Sequence, residues 1–130
     1  MTKTHNAKQL KKLIEEAFDV KIDTSTRRRE IVDLRRVFSI ICVEYYLLTH
    51  QKTGELMNKD HSSVTHHIKT GNALLKFDSV FRKLFSEIKS KAPNPDDIEI
   101  QKAYHLAEIN YHRRELERLK KEGSKSESRK

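Results

Sequence analysis

The chain has 130 residues, of which 35% are apolar, and carries 27 Lys+Arg against 19 Asp+Glu for a formal charge of +8. That length suits one domain with an appended helix, and the charge favours a polyanionic partner or a well-solvated surface. No stretch approaches the roughly 18 apolar residues that cross a bilayer, so a cytoplasmic protein with no membrane partner is expected. The basic excess is local: residues 1–92 hold 18 basic against 11 acidic side chains, whereas residues 93–130 hold 9 against 8. A lone cysteine, Cys42, lies among apolar residues; it has no intrachain disulfide partner and reads as a small buried hydrophobe of an intracellular protein.

In chain order, apolar residues recur at spacings of three and four in each periodic segment, and no run alternates long enough for a strand. The expected fold class is all-α, a helical bundle. A first helix over residues 6–18 carries Leu10, Leu13, Ile14, Ala17 and Phe18 on one side, with Lys8, Lys11 and Lys12 left wet. Residues 19–26 form a connector in which Val20 and Ile22 can tuck onto the core. A long helix over 27–48 comes next, with apolar residues at Ile31, Leu34, Val37, Phe38, Ile40, Ile41, Tyr45, Leu47 and Leu48. So wide an apolar surface places it at the centre of the bundle.

Residues 51–57 suffice for two helical turns, and Asn58-Lys59 then turns the chain into another helix, which is helix-turn-helix grammar. Asp60 suits the N-cap of that next helix, because its carboxylate can accept from an orphaned backbone N–H. The residues after it, His61, Ser62 and Ser63, sit at the positive dipole end with short or planar hydrogen-bonding side chains that can meet a base edge or a phosphate. Val64, Ile68 and Leu75 form the apolar side of this helix. It is expected to continue to Lys76, with Gly71 marking a bend or a close approach of another backbone.

A helix over 78–90 is expected next, with Phe77, Val80, Phe81, Leu84, Phe85 and Ile88 inside. Asn94-Pro95-Asp96-Asp97 reads as the capped start of a last helix ending near residue 122. That helix alternates in charge and places Leu106, Ile109, Leu116 and Leu119 near a seam interrupted by Arg113. It serves as a cover for the core, pairs two copies of the chain, or docks another protein. The expected organisation is a helix-turn-helix domain over 1–92, an additional amphipathic helix over 93–122, and a disordered Ser- and Lys-rich tail over 123–130.

Other chemistries find little support. His61, His66 and His67 are spaced by five and one, which does not set two imidazoles on one helical face as i and i+4, and no cysteine pair accompanies them, so no metal is expected. Asp60, His61 and Ser62 are neighbours on one helical turn rather than a catalytic triad. No enzyme activity and no cofactor are expected.

Two separated motifs carry a family resemblance. The run Arg27-Arg28-Arg29-Glu30-Ile31-Val32-Asp33-Leu34-Arg35-Arg36, then Gly54, then Asp60-His61-Ser62-Ser63-Val64-Thr65-His66-His67-Ile68-Lys69 resembles the C-terminal DNA-binding domain of the bacterial replication initiator DnaA, over residues 6–90. The family pattern is a basic loop, a long helix opening with R-x-I-V-x-x-R, a short helix with glycine, and the signature D-H-[ST]-[ST]-V-x-H-A-x-K. The resemblance implies that His61, Ser62 and Ser63 read bases in the major groove of duplex DNA, with Asp60 placing them. It implies a flanking minor-groove contact from Arg27, Arg28 or Arg29. Phosphate contacts are implied for Arg35, His50, Gln51, Lys59, Thr65, His66 and Lys69.

The chain departs from the pattern in having Asn58-Lys59 where Gly-Gly-Arg is usual, and in having Asp33, His67 and Gly71 where other residue types are usual. Nothing matches Gly-x-x-x-x-Gly-Lys-[Ser/Thr], the loop that cradles nucleotide phosphates. The expectation is a stand-alone, sequence-preferring duplex binder acting in replication initiation or transcription regulation, of the kind a phage or mobile element encodes. A dimeric repressor and a helical protein-protein adaptor are the alternatives.

Overall fold

The computed structural model describes residues 3–94 and 98–128, with side chains over 4–94 and 101–120. Among the described residues there are six α-helices: α1 (Lys3–Phe18), α2 (Arg29–Ile40), α3 (His50–Leu56), α4 (His61–Phe77), α5 (Ser79–Lys91) and α6 (Ile98–Ser128). The fold is all-α, with no strand among the described residues. Of the capped helix start expected at Asn94 to Asp97, residues 95–97 lie outside them.

The apolar stripe of α1 buries Ala7, Leu10 and Ile14 completely, and Ile22 of the connector joins the same cluster. Asp19 ends α1 with a positive φ of 52°, and Val20 N–H closes the turn on the Glu15 carbonyl at 3.2 Å. The connector is tied down twice more. Lys11 Nζ reaches Asp23 at 2.9 Å, and Ile22 N–H donates to Glu15 Oε2 at 2.9 Å.

The continuous helix expected over 27–48 is corrected: it begins at Arg29, changes character at Ile41 and ends before Leu47. α2 gives way to a π-helical turn at Ile41–Tyr45, where Tyr46 N–H reaches back five residues to the Ile41 carbonyl at 3.0 Å. The extra residue rotates the end of the helix, so that both Tyr45 and Tyr46 are buried although they are adjacent. Such insertions often re-aim side chains. The Tyr45 ring meets Phe85 of α5 at 6.5 Å and Tyr104 of α6 at 5.0 Å between centroids. Tyr46 donates its hydroxyl hydrogen to the Pro93 carbonyl at 2.6 Å, securing the chain between α5 and α6. Leu47 then takes a left-handed φ of 60° while Leu48 N–H donates to the Cys42 carbonyl at 2.9 Å.

In α5 the buried positions are Phe81, Phe85 and Ile88, which fall at i, i+4 and i+7. Phe77 and Val80 were expected inside with them, and that is corrected: they are 86% and 75% exposed. The Asp78 side chain caps α5 by accepting from Val80 and Phe81 N–H at 3.0 and 3.1 Å. The chain therefore breaks after Phe77 and sets both residues off the inward face. α6 extends past Gly123, where the helix was expected to end and a disordered tail to begin. One glycine costs about 1 kcal/mol in a helix interior and does not interrupt the hydrogen-bond ladder by itself.

Candidate nucleic-acid interface

α3 and α4 are consecutive helices separated by residues 57–60, and the backbone of that turn is specified tightly. Lys59 N–H donates to the Gly54 carbonyl at 2.8 Å and Asn58 N–H to the Glu55 carbonyl at 3.2 Å, with Asn58 left-handed at φ 57°. This pair of bonds around a left-handed residue is the Schellman ending of a helix. Asparagine serves here in the place glycine usually takes, because its short polar side chain tolerates that region. Gly54 is needed for another reason. A Cβ there would lie 2.4 Å from the Lys59 carbonyl oxygen and 3.1 Å from that of Asp60, so the turn passes directly over the glycine.

The cap expected at Asp60 is present. Its Oδ1 accepts from Ser63 N–H at 2.9 Å and from the Ser62 hydroxyl at 2.8 Å. Those bonds, the Ser63 N–H first, hold the Asp60 carboxyl below its ordinary value. The Ser62 hydroxyl thus spends its hydrogen on Asp60 and offers a partner its lone pairs, which suits an exocyclic amino group or a backbone donor. His61 and Ser62 are exposed and Ser63 is partly so, while Val64 behind them is fully buried. The capped tip of α4 therefore faces outward.

His50 opens α3, whose cap is Thr49, accepting from Lys52 N–H at 3.1 Å. Its Nδ1 lies 2.7 Å from Thr65 Oγ1 of α4. The Thr65 hydroxyl in turn donates to the His61 carbonyl at 3.0 Å. With that hydrogen spent, His50 Nδ1 is the donor, which leaves Nε2 for an outside partner. The pair links the two helices on the same side as the α4 tip. Gln51, His66 and Lys69 are exposed and Lys59 partly so.

The basic run is not beside the tip. Arg29 lies 3.8 Å from Asp78, the residue just after α4, and 4.0 Å from Asp33. A 17-residue helix is about 25 Å long, so Arg29 stands at the far end of α4 from His61. Both carboxylates meet its charge. Arg28 sits 3.8 Å from Glu30, whereas Arg27, Lys59 and Lys69 have no ion pair among the described residues.

Arg35, expected to touch phosphate, is corrected outright. It is 3% exposed. Its Nε donates to the Ile22 carbonyl at 2.8 Å, Nη1 to that of Thr26 at 2.7 Å and Nη2 to that of Thr24 at 2.6 Å. Three carbonyls of the connector close on one guanidinium, which stitches the segment leading into Arg27 and Arg28 onto α2. Burial pulls this guanidinium below its ordinary value, and the nearby Asp23 charge opposes that shift. Nothing in the local sequence distinguishes Arg35 from exposed Arg28; the difference arises from the connector folding back over it.

Beneath the interface, α4 lies on α2. Gly71 faces Ile40, and a Cβ there would fall 2.7 Å from Ile40 Cδ1. The close approach expected at this glycine therefore involves a side chain of α2 rather than its backbone. His67 lies on the same side, partly buried. Desolvation first, and the charges of Arg36 and Arg35 next, bring it down to about 4. A folded value below the ordinary 6.5 means that the unfolded chain takes the proton first, so stability is lost as pH falls from about 6.5 towards 4. Allowing for the solvent that still reaches the ring, the loss should be roughly 1–2 kcal/mol. Thermal unfolding at pH 7.5 and pH 5 is expected to show it, and His67→Ala should flatten that interval; an unchanged pH dependence in the variant would assign it to other groups.

An all-α domain whose short helix-turn-helix presents an outward, aspartate-capped helix tip with unpaired lysines beside it is the class of structure these residues define. Over 93 residues, 68% of the chain, it is 31% identical to the chromosomal replication initiator protein DnaA of Bacteroides thetaiotaomicron. The chain spans 20% of the length of that relative, so the similarity points to a DnaA-related domain. No family model matches the chain and no solved structure matches it.

Proposed function

We propose that this chain is a non-catalytic, sequence-preferring binder of double-stranded DNA that seats the tip of α4 in a major groove. The observation carrying this reading is the exposed turn at Asp60, where His61, Ser62 and Ser63 stand outward over a buried Val64. His61 and the Ser62 and Ser63 hydroxyls supply base contacts, and Asp60 fixes their orientation. Lys59, His66, Lys69, His50 and Gln51 supply phosphate contacts around the tip. Thr65 orients His50. Arg27 and Arg28 contact a flanking groove at the other end of α4.

Replication initiation, the process in the relative's name, is the proposed setting, in the cytoplasm with the nucleoid DNA. The same chemistry at a promoter would regulate transcription, and encoding by a phage or mobile element would suit either. Among the described residues no helix is long and apolar enough to cross a membrane.

Selection of bound oligonucleotides from a random pool would provide the preferred duplex. On it, His61→Ala should weaken binding by roughly 1–3 kcal/mol while leaving random duplex nearly unaffected. Lys69→Ala should weaken both alike and make the salt dependence shallower by about one phosphate contact. Absence of duplex binding at about 100 mM salt would sink the proposal, and equal losses on both duplexes for His61→Ala would remove that residue from base readout.

A further inference from the structure

The two faces of α6 carry different chemistry. One face belongs to the domain: Tyr104 is buried, Ala107 and Tyr111 pack on the core, and Glu108 is ion-paired with Lys89 of α5 at 2.5 Å. The opposite face is apolar but solvent-facing, with Leu106, Ile109, Leu116 and Leu119 each more than half exposed. A helix that only covered its own core would carry polar residues at those positions.

Ile109, Leu116 and Leu119 have heptad spacing, and Leu106 lies beside them at an e position. With Ile109 and Leu116 at a, the d positions are His105, His112 and Leu119. The core-facing residues Tyr104, Ala107 and Tyr111 then fall at c and f, off the seam, and Glu108 at g borders both faces. The flanks separate by sign: Glu108 and Glu115 occupy g, and Arg113 and Lys120 occupy e. In a parallel two-stranded coiled coil, each g residue faces the e′ residue five positions further along the partner helix, which pairs Glu108 with Arg113 and Glu115 with Lys120 of a second copy. In an antiparallel pair g meets g′ and e meets e′, setting like charges together. Arg113 and Lys120 are exposed. Glu108 and Glu115 already hold Lys89 and Arg118 of their own chain, and a carboxylate accepts more than one such bond.

We propose that α6 joins two copies of this chain in parallel, along a seam of Ile109, His112, Leu116 and Leu119, with the acidic g and basic e flanks fixing the orientation. About two heptads make a short seam, so the dimer forms at micromolar rather than nanomolar concentration. The two-fold axis runs along the coil and relates the two α4 tips. If the DNA-binding reading holds, the preferred target is an inverted rather than a direct repeat.

Sedimentation of the full chain without DNA tests the pairing independently of that reading. Reversible dimerisation in the range of tens of micromolar is expected. Leu116→Asp should abolish it while circular dichroism shows the fold intact, since Leu116 is off the core face. Arg113→Glu with Lys120→Glu should weaken it about tenfold or more. Mixing that chain with a Glu115→Lys chain should recover part of the loss. Leu119→Cys should cross-link to itself on oxidation, since identical d positions meet in a parallel pair. A monomer at 200 micromolar would overturn the proposal. So would Leu119→Cys chains that cross-link only to Ile109→Cys chains, the antiparallel signature.

Discussion

Arg35→Ala is expected to destabilise the domain by roughly 3–5 kcal/mol, because three carbonyls lose a charged donor and each such bond is worth about 1.5–3 kcal/mol before water and relaxation recover part of it. The buried guanidinium donates to three connector carbonyls. Its loss leaves those acceptors without partners and opens a cavity against Ile22. Lysine does not rescue it, because one ammonium cannot reproduce a planar fork reaching three carbonyls. Arg35→Lys should therefore also unfold at markedly lower denaturant. A residue that touched phosphate would behave otherwise, with unchanged stability, substantial rescue by lysine, and a shallower salt dependence of DNA binding. Denaturant titration of both variants separates these outcomes. The clamp also has a functional consequence. By holding the carbonyls of Thr24 and Thr26, Arg35 orders the backbone that presents Arg27 and Arg28, so its removal should weaken the proposed flanking contact even where the domain remains folded.

Gly54→Ala should cost roughly 3 kcal/mol, at the upper end of what forcing an extra methyl into a packed site costs. Alanine is the better helix former by about 1 kcal/mol, and α3 would gain from it in isolation. Within the domain, the new Cβ would meet the Lys59 carbonyl oxygen at 2.4 Å. That oxygen belongs to backbone, which cannot swing aside as a flexible side chain can. Relief requires opening the turn, which breaks the Lys59 N–H bond to the Gly54 carbonyl and displaces Asp60. The α4 cap and the α3–α4 crossing would then change together. Thermal unfolding should show a lowered midpoint, and the surviving folded fraction should bind duplex more weakly. A variant as stable as the parent would mean that the turn yields easily, and would weaken the case that Gly54 sets the recognition geometry.

Much of the architecture is legible from local pattern. The helices α1, α4 and α5 arise from three-and-four spacing, α3 from a two-turn length set before the Asn58-Lys59 turn, and the Asp60 cap from a carboxylate standing just before a periodic apolar run. Both signals are short-range, so a linear reading contains them. The burial of Val64 behind an exposed His61 and Ser62 comes from the same periodicity. The family resemblance marks His50 and Thr65 as phosphate contacts but does not show that they hydrogen-bond each other, because they are fifteen residues apart.

The features that the tertiary structure alone decided depend on chain segments distant in sequence. Arg35 and Arg28 are the same residue type in one basic run, yet one is a buried clamp and the other exposed, because the connector closes over only one of them. The π turn at Ile41–Tyr45 is set by the demand of Phe85, Tyr104 and Pro93 that two adjacent tyrosines both point inward. His67 becomes hard to protonate because packing desolvates its ring and, secondarily, because the charges of Arg36 and Arg35 on α2 lie near it. Local sequence determined which helices form and how their ends are capped, since those energies act within a few residues. Packing determined which charges are free to meet a ligand, since desolvation depends on whichever segment happens to lie on top.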